Sequence, residues 1–404
     1  MPHLTRRHFA GLLIAGSQAP HLFGASIEDT LQASMQRRGI PSVVAMAVDV
    51  NRVLYSGGFG TRDAASKAGV NADSIFQIAS MTKPVASVAA MQLVEQGKLS
   101  LDTPVSKHLP QLEKMQVLDG FTAAGDPILR PAKTAITLRH LLTHTTGFAY
   151  SNWHEQMNRY AAKAPAPAPI APLVPLMFEP GTSWQYGYST DWTGRLIEAV
   201  SGLTLQQYLR INILDPLGMK DTEFGLDPKK FDRLVGRYQR TPDGKFQAVP
   251  REQPPVQKDF NAGGGLLSSA NDYVKFMRMI LRYGLTGVNT QILKASSVEM
   301  MMQNQIGGLR AGVLKSYQPN LSSDVDTHPG GVDKWGLGFL LQGPGTTGVR
   351  SEGSMAWAGI YNTYFWIDPN RGIAGVVMMQ YLPFFDKDAI GLLGDFERSV
   401  YANV

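Results

Sequence analysis

Apolar positions recur along the chain with two periods, and the changes of period mark the elements. Ile27, Leu31 and Met35 fall four apart, which puts them on one face of a helix over Ile27 to Arg38 that Gly39 ends ahead of Pro41. Ser42 to Val50 is a Val-rich apolar run, and Val53 to Gly60 follows after the polar pair Asn51-Arg52, the pattern of a β-hairpin. Ser80 opens a long helical pattern whose body, Val85 to Glu95, is closed by Gly97. Pro84 falls in its first turn, where a missing N–H costs little. Thr137 to His144, Trp192 to Val200, Leu205 to Ile211 and Ala270 to Tyr283 also have helical spacing. Near the far end, Asn362 to Asp368 and Ile373 to Gln380 are two strands joined by Pro369-Asn370-Arg371-Gly372, and Lys387 to Tyr401 is a terminal helix. Strands thus sit at both ends of the chain, with helices and loops between. That order predicts an α+β fold: one antiparallel sheet assembled from both chain ends and flanked by helices, with a mainly helical region inserted. The sheet region is expected over 26–110 and 300–404, and the helical region with its pocket loops over 111–299.

Two segments follow neither period. Ala161 to Pro175 interleaves alanines with Pro165, Pro167, Pro169, Pro172 and Pro175, an extended, stiff stretch that is expected to be a surface loop beside a pocket. At the N-terminus, Thr5-Arg6-Arg7-His8-Phe9 precedes the apolar run Ala10 to Gly16, the order of an export signal of the twin-arginine type. The expectation is a signal over residues 1–25 and a periplasmic or secreted mature chain. The run is far short of the ~20 residues that a membrane span requires, and no later run reaches that length.

Composition narrows the chemistry. Hydrophobic residues make up 44% of the 404 and charged ones 18%, ample material for a packed interior. The net charge of +5 includes Arg6 and Arg7 and comes without basic runs, so no nucleic-acid partner is expected. With no cysteine, disulfides, thiolate zinc sites, cysteine-ligated clusters and a Cys nucleophile are all excluded. His140 and His144 lie four apart but lack the Glu of His-Glu-x-x-His and a third ligand, so no metal is expected. Gly263-Gly264-Gly265 lacks the ending of a phosphate loop and reads as a close-approach loop lining a pocket. No Gly-x-Ser-x-Gly elbow is present, which argues against an α/β-hydrolase.

Nucleophilic chemistry remains. In Ser80-Met81-Thr82-Lys83, residues three apart share a helix face, so Lys83 Nζ can reach Ser80 Oγ. Serine is a weak nucleophile until a base takes its proton, and a lysine whose pKa is lowered by burial can be that base. The positive end of the helix dipole disfavours the ammonium further. The same tetrapeptide equally describes a Ser N-cap followed by a solvated Lys. Trp184-Gln185-Tyr186-Gly187-Tyr188-Ser189-Thr190 precedes the helix around Trp192; a tyrosine beside Lys83 can relay a proton, and a tyrosine at a helix start is equally a core residue. Glu352 to Ile360 feeds the strand from Asn362, where a backbone N–H beside the nucleophile can hold an oxyanion. A plain turn accounts for the same glycines.

The order of these motifs resembles the serine β-lactamase/penicillin-binding-protein superfamily, and is most similar to its class C β-lactamase-like branch and the family VIII carboxylesterases. Phe76-Gln77-Ile78-Ala79, Leu138 to Phe148, Phe178-Glu179-Pro180-Gly181 and Gly263 to Ser269 fit as well, so the resemblance spans Ile27 to Gln380. It implies the β-lactamase/transpeptidase-like fold, Ser80 as acylated nucleophile, Lys83 as its proton-abstracting partner and Tyr186 as second member of the base system. It also implies an oxyanion hole from the Ser80 and Ile360 N–H groups, and substrate contacts from Tyr188, Trp357, Ala358 and Gly359. Tyr188 rivals Tyr186, but Trp184, Gly187, Asp191 and Gly194 supply the esterase frame around Tyr186. Which of Lys83 and Tyr186 is the base stays open, since strongly interacting groups titrate as a unit. Two departures matter: Tyr188 stands where β-lactamases usually have Asn, and Trp357-Ala358-Gly359 stands for Lys-Thr-Gly on the closing strand. The exchange removes a cation and a hydroxyl associated with holding a carboxylate, and an aromatic wall suits a neutral ester. The resemblance therefore implies a serine carboxylesterase without cofactor, acting on a small-molecule ester. A β-lactamase, a D-alanyl-D-alanine carboxypeptidase or an acyltransferase using the same acyl-enzyme is the alternative, and the oligomeric state is not indicated.

Overall fold

Seven strands drawn from both ends of the chain form one antiparallel sheet. In the computed structural model, which describes residues 26–65, 67–163, 170–255, 257–344 and 349–404, they are β1 (Ser42–Asp49), β2 (Val53–Gly60), β3 (Lys334–Trp335), β4 (Leu340–Leu341), β5 (Met355–Gly359), β6 (Thr363–Asp368) and β7 (Ile373–Met378). Their spatial order is β3-β4-β5-β6-β7-β1-β2. The central pairing joins the two chain ends directly, with Val44 opposite Met378 and Asp49 opposite Ile373. This is the β-lactamase/transpeptidase-like fold.

Both faces of the sheet are covered, which is why β1, β6 and β7 are almost wholly buried and carry apolar residues without alternation. Helix α1 (Ile27–Arg38) and the terminal helix (Lys387–Asn403) pack together on one face, where Phe396 meets the rings of Tyr55 and Trp366. Asp395 ties the two helices by accepting from Ser34, Arg37 and Arg38. The other face receives the helix Ala270–Leu281, whose Tyr273 packs on Phe365.

Beneath that second face runs α2 (Thr82–Glu95), every residue of which from Thr82 to Leu93 is buried. A helix that is apolar all round belongs in the middle of a protein, and the one lysine on it is carried inside with it. α3 (Leu138–Thr143) starts with a capping box between Thr137 and His140 and ends on His144 in the left-handed conformation. α4 (Ser189–Ser201) follows the tyrosine motif and packs against α2.

The region between the sheet halves is less purely helical than its sequence implies. Gln116–Phe121 pairs with Pro127–Pro131, and Tyr238–Arg240 pairs with Phe246–Ala248 and, in parallel, with Tyr381–Leu382. Ile75–Gln77, Glu223–Phe224 and Leu266–Ser269 form a three-stranded sheet just ahead of Ser80. Strands of two to six residues are too short to establish a period. Leu205 to Ile211 also departs from one regular helix, since α-helix over Leu205–Leu209 gives way to a π-helical turn over Arg210–Leu214. Among the described residues no helix is long and apolar enough to cross a membrane. The expected export signal, residues 1–25, and Pro165, Pro167 and Pro169 lie outside the described residues.

Candidate active site

Ser80 occupies a 3₁₀ turn, Ala79–Met81, that leads into α2. It is not the N-cap of a regular helix. Ala79 is held at φ 44°, a left-handed conformation that costs a residue with a Cβ roughly 1 kcal/mol or more. The surroundings enforce it. Thr82 Oγ1 donates to the Ala79 carbonyl at 2.6 Å and accepts from the Leu266 N–H at 3.1 Å, while Ile78 N–H donates to Leu266 O at 3.2 Å. From the other side β5 presses close: a Cβ on Gly359 would lie 2.3 Å from the Ile78 carbonyl. Glycine at 359 is therefore required by the approach of the closing strand to the serine turn.

Lys83, one helical turn on, is 1% exposed. Its Nζ donates to Ser80 Oγ at 3.2 Å, to Tyr150 OH at 3.4 Å and to the Gly263 carbonyl. Burial lowers its pKa to about 7 against the pull of the nearby Asp191 carboxylate, which favours the ammonium. The Tyr186 ring lies 4.6 Å from Nζ, and the Tyr186 hydroxyl hydrogen-bonds Ser80 and accepts from Trp357 Nε1 at 3.1 Å. Burial pushes this phenol well above its ordinary value, with the bonds from Ser80 and Trp357 opposing. Burial thus pushes the two candidate bases in opposite directions, Lys83 towards the neutral amine and Tyr186 towards keeping its proton.

A second polar chain meets Lys83 from behind. Tyr150 OH donates to Asp191 Oδ2 at 3.1 Å; Asp191 is buried, and Tyr150 is partly buried at the edge of the cleft. Burial raises the Asp191 pKa while Lys83 draws it back, and burial with the Asp191 charge drives Tyr150 well above its usual range. Asp191 fits only because position 263 lacks a side chain, since a Cβ on Gly263 would sit 2.5 Å from Asp191 Oδ2. His144 packs tilted against the Tyr186 ring at 4.7 Å and edge-on to Trp335 at 5.2 Å, and burial first, then Lys83, keeps its pKa well below the usual value. His140 accepts the Thr137 N–H through Nδ1 at 3.3 Å, so its role is to start α3.

A cleft of about 400 Å³ opens over Ser80, bordered by Tyr150, Trp153, Asn261, Gly264 and Ile360 among others. Of the residues singled out in the sequence, Ser80, Lys83, Tyr186, Ile360 and Gly359 are brought together. Tyr188, Trp357 and Ala358 do not border this cleft. Tyr188 packs edge-on to Tyr150 at 4.6 Å. Trp357 is 7% exposed, and its Nε1 donates to the Tyr186 hydroxyl. Trp357 and Ala358 both border a separate cavity of about 440 Å³ beside Ile390 and Leu393 of the terminal helix. The sequence reading missed Tyr150, Asn152 and Trp153, and it counted Asp191 only as part of a motif frame. A tyrosine two residues past Leu138 to Phe148 was the available signal for Tyr150.

Comparison with known proteins agrees with this geometry. The family model described as Beta-lactamase matches residues 27–395. Monacolin J acid methylbutanoyltransferase of Aspergillus terreus is 31% identical over 93% of this chain and 95% of its own. The lovastatin esterase of Penicillium rubens is 30% identical over 93% of this chain and 98% of its own. A mutant of simvastatin synthase from Aspergillus terreus superimposes with a TM-score of 0.78 at 30% identity, covering 93% of this chain and 94% of that one. The chain therefore belongs to the beta-lactamase family, as an enzyme of its serine hydrolase superfamily whose homologues are acyltransferases and esterases.

Proposed function

We propose that this enzyme cleaves carboxylic esters of small molecules through an acyl-enzyme on Ser80. The observation that carries the reading is Lys83 Nζ, held 3.2 Å from Ser80 Oγ with its pKa lowered to about 7. As Oγ bonds to the ester carbonyl carbon, its proton passes to Lys83 and the carbonyl oxygen becomes an oxyanion facing the Ser80 and Ile360 N–H groups. The C–O bond to the alcohol then breaks, and the proton returns from Lys83 through the Tyr186 hydroxyl to the leaving oxygen. Water repeats the sequence in reverse and releases the acid. Tyr186 acts here as a neutral relay, in keeping with its raised pKa.

Acyl transfer to an alcohol in place of water is the second reading, favoured by relatives named as methylbutanoyltransferases that match more than nine-tenths of the chain. A β-lactam substrate has less support, because Trp357 places no cation on the closing strand. The test compares the protein with Ser80→Ala on a short-chain chromogenic ester and a chromogenic cephalosporin, with and without an added acceptor alcohol. Ester turnover lost in Ser80→Ala, with an acyl adduct on Ser80 by intact mass, supports the proposal. A transesterified product that outgrows the acid selects transfer. Dominant cephalosporin cleavage, or full activity in Ser80→Ala, overturns the ester reading.

A further inference from the structure

The Ser80 cleft itself is lined by uncharged side chains, and the nearest unassigned charge lies just outside it. Gln77 and Pro254 border both that cleft and a smaller cavity of about 190 Å³, whose charged side chains are Arg237, Arg251 and Glu252. Arg251 is already engaged: it pairs with Asp63 at 3.2 Å, donates to the Leu234 carbonyl at 2.9 Å and lies over the Phe231 ring. Glu252 is exposed and directed by no ion pair among the described residues. Arg237 differs from both. It is half-buried, and it spends one N–H on Tyr361 OH at 3.1 Å with its guanidinium 5.7 Å from that ring. Tyr361 borders the Ser80 cleft directly beside Ile360. No carboxylate pairs with Arg237 among the described residues, and Arg237 is part of the cavity lining. Its backbone is fixed, since Val249 N–H donates to Arg237 O at 2.8 Å and Tyr238 N–H to Gln380 O at 2.9 Å.

A guanidinium that is positioned by the fold, partly desolvated and without a carboxylate partner is suited to a planar anion arriving with a ligand. We infer that Arg237 forms an anion subsite at the mouth of the Ser80 cleft, and that the preferred esters carry a carboxylate away from the scissile bond. This rests on the ester reading above and adds the substrate class to it. The carboxylate sits on either the acyl or the alcohol part, and the experiment separates the two.

Two matched pairs serve as probes: an aryl butyrate against the aryl hemiester of glutaric acid, and phenyl butyrate against its 4-carboxyphenyl counterpart. The readout is the ratio of kcat/KM for the charged over the neutral member. In the unaltered protein one ratio is expected to favour the charged ester, mainly through KM, and to weaken at high salt. Arg237→Gln should lower that ratio on the order of fivefold, and Arg237→Lys should retain most of it. Unchanged ratios for both pairs in Arg237→Gln, with Ser80-dependent turnover of the neutral esters, would overturn this inference and leave the ester reading standing. A preference indifferent to salt would overturn it even where Arg237→Gln did not fold. No turnover of any of the four esters would remove the ester reading and this inference together.

Discussion

Trp357 donates its indole N–H to the Tyr186 hydroxyl at 3.1 Å, bridging the closing strand and the loop that enters α4. In the β-lactamase pattern a lysine stands at this place in the triplet. A cation there would favour a phenolate, whereas a neutral indole donor orients the hydroxyl without paying for its ionisation. Burial is then free to push Tyr186 up and Lys83 down, as the two groups show. The same departure from the family triplet that suggested an ester substrate thus also favours Lys83 over Tyr186 as the base in the proposed reaction.

Trp357→Phe keeps an aromatic ring against Tyr186 and Trp335 but removes the donor. A buried hydrogen bond is worth about 0.5–1.5 kcal/mol, so kcat/KM for a chromogenic ester should fall on the order of fivefold, with a modest loss of melting temperature. The neutral rings at 4.8 and 4.7 Å preserve most of the packing. Kinetics indistinguishable from the parent would show that Tyr186 does not depend on the indole for its orientation.

Lys83 governs the pH dependence. With its pKa at about 7, the free amine grows in as pH rises through that value, so kcat/KM should climb across neutrality and level off above it. Stability moves the same way. Between about 7 and the ordinary lysine value of 10.5, the unfolded chain binds a proton that the folded chain does not, so the contribution of this residue to stability rises with pH. Lys83→Met should abolish turnover, by roughly a thousandfold or more, and flatten that part of the stability profile. A kcat/KM profile flat from pH 6 to 9, as an approximate window around that pKa, would contradict the assignment.

Much of this arrangement is legible in the sequence, for reasons that differ by element. The hairpin Ser42–Gly60 and the helix after Ser80 show because they are long enough for their periods to emerge. Met355–Gly359 shows as a strand only through the family resemblance and not by its pattern, since Ala and Gly have poor strand propensity and the segment is recruited by pairing with Thr363–Asp368. Ser80 and Lys83 are found from a spacing, but the spacing says nothing about whether the lysine is solvated. Its burial follows from α2 being enclosed on all sides. Trp357 shows as a departure from the family triplet, yet only the register of β5 and the position of Tyr186 reveal that its N–H points at a hydroxyl. Tyr150 and Asp191 are separated by 41 positions and meet only in three dimensions.

Asp191→Asn tests that pair. The carboxylate favours the protonated form of Lys83, so its removal should lower the lysine pKa further and carry the acid limb of kcat/KM to lower pH. The maximal rate should fall severalfold as Tyr150 loses its anionic acceptor. A purely structural role would lower stability and leave the limb where it was. A shift to higher pH would contradict the reading that the Asp191 charge favours the ammonium form of Lys83.

Gly263→Ala tests the same region through space rather than charge. The added Cβ would meet Asp191 Oδ2 at 2.5 Å and Oδ1 at 2.7 Å, a contact relieved by displacing the buried carboxylate or the backbone that also presents its carbonyl to Lys83. Overpacking of this kind costs typically 1–3 kcal/mol, so the denaturation midpoint should drop at unchanged m-value. Because the Gly263 carbonyl holds the amine against Ser80, kcat/KM should fall by more than the stability loss explains, measured well below the melting range. Gly308→Ala is the matched control, since a Cβ there meets nothing within 4 Å, and it should leave both quantities unchanged. If Gly263→Ala behaved like Gly308→Ala, the close packing of this loop on Asp191 would have no part in setting the position of Lys83.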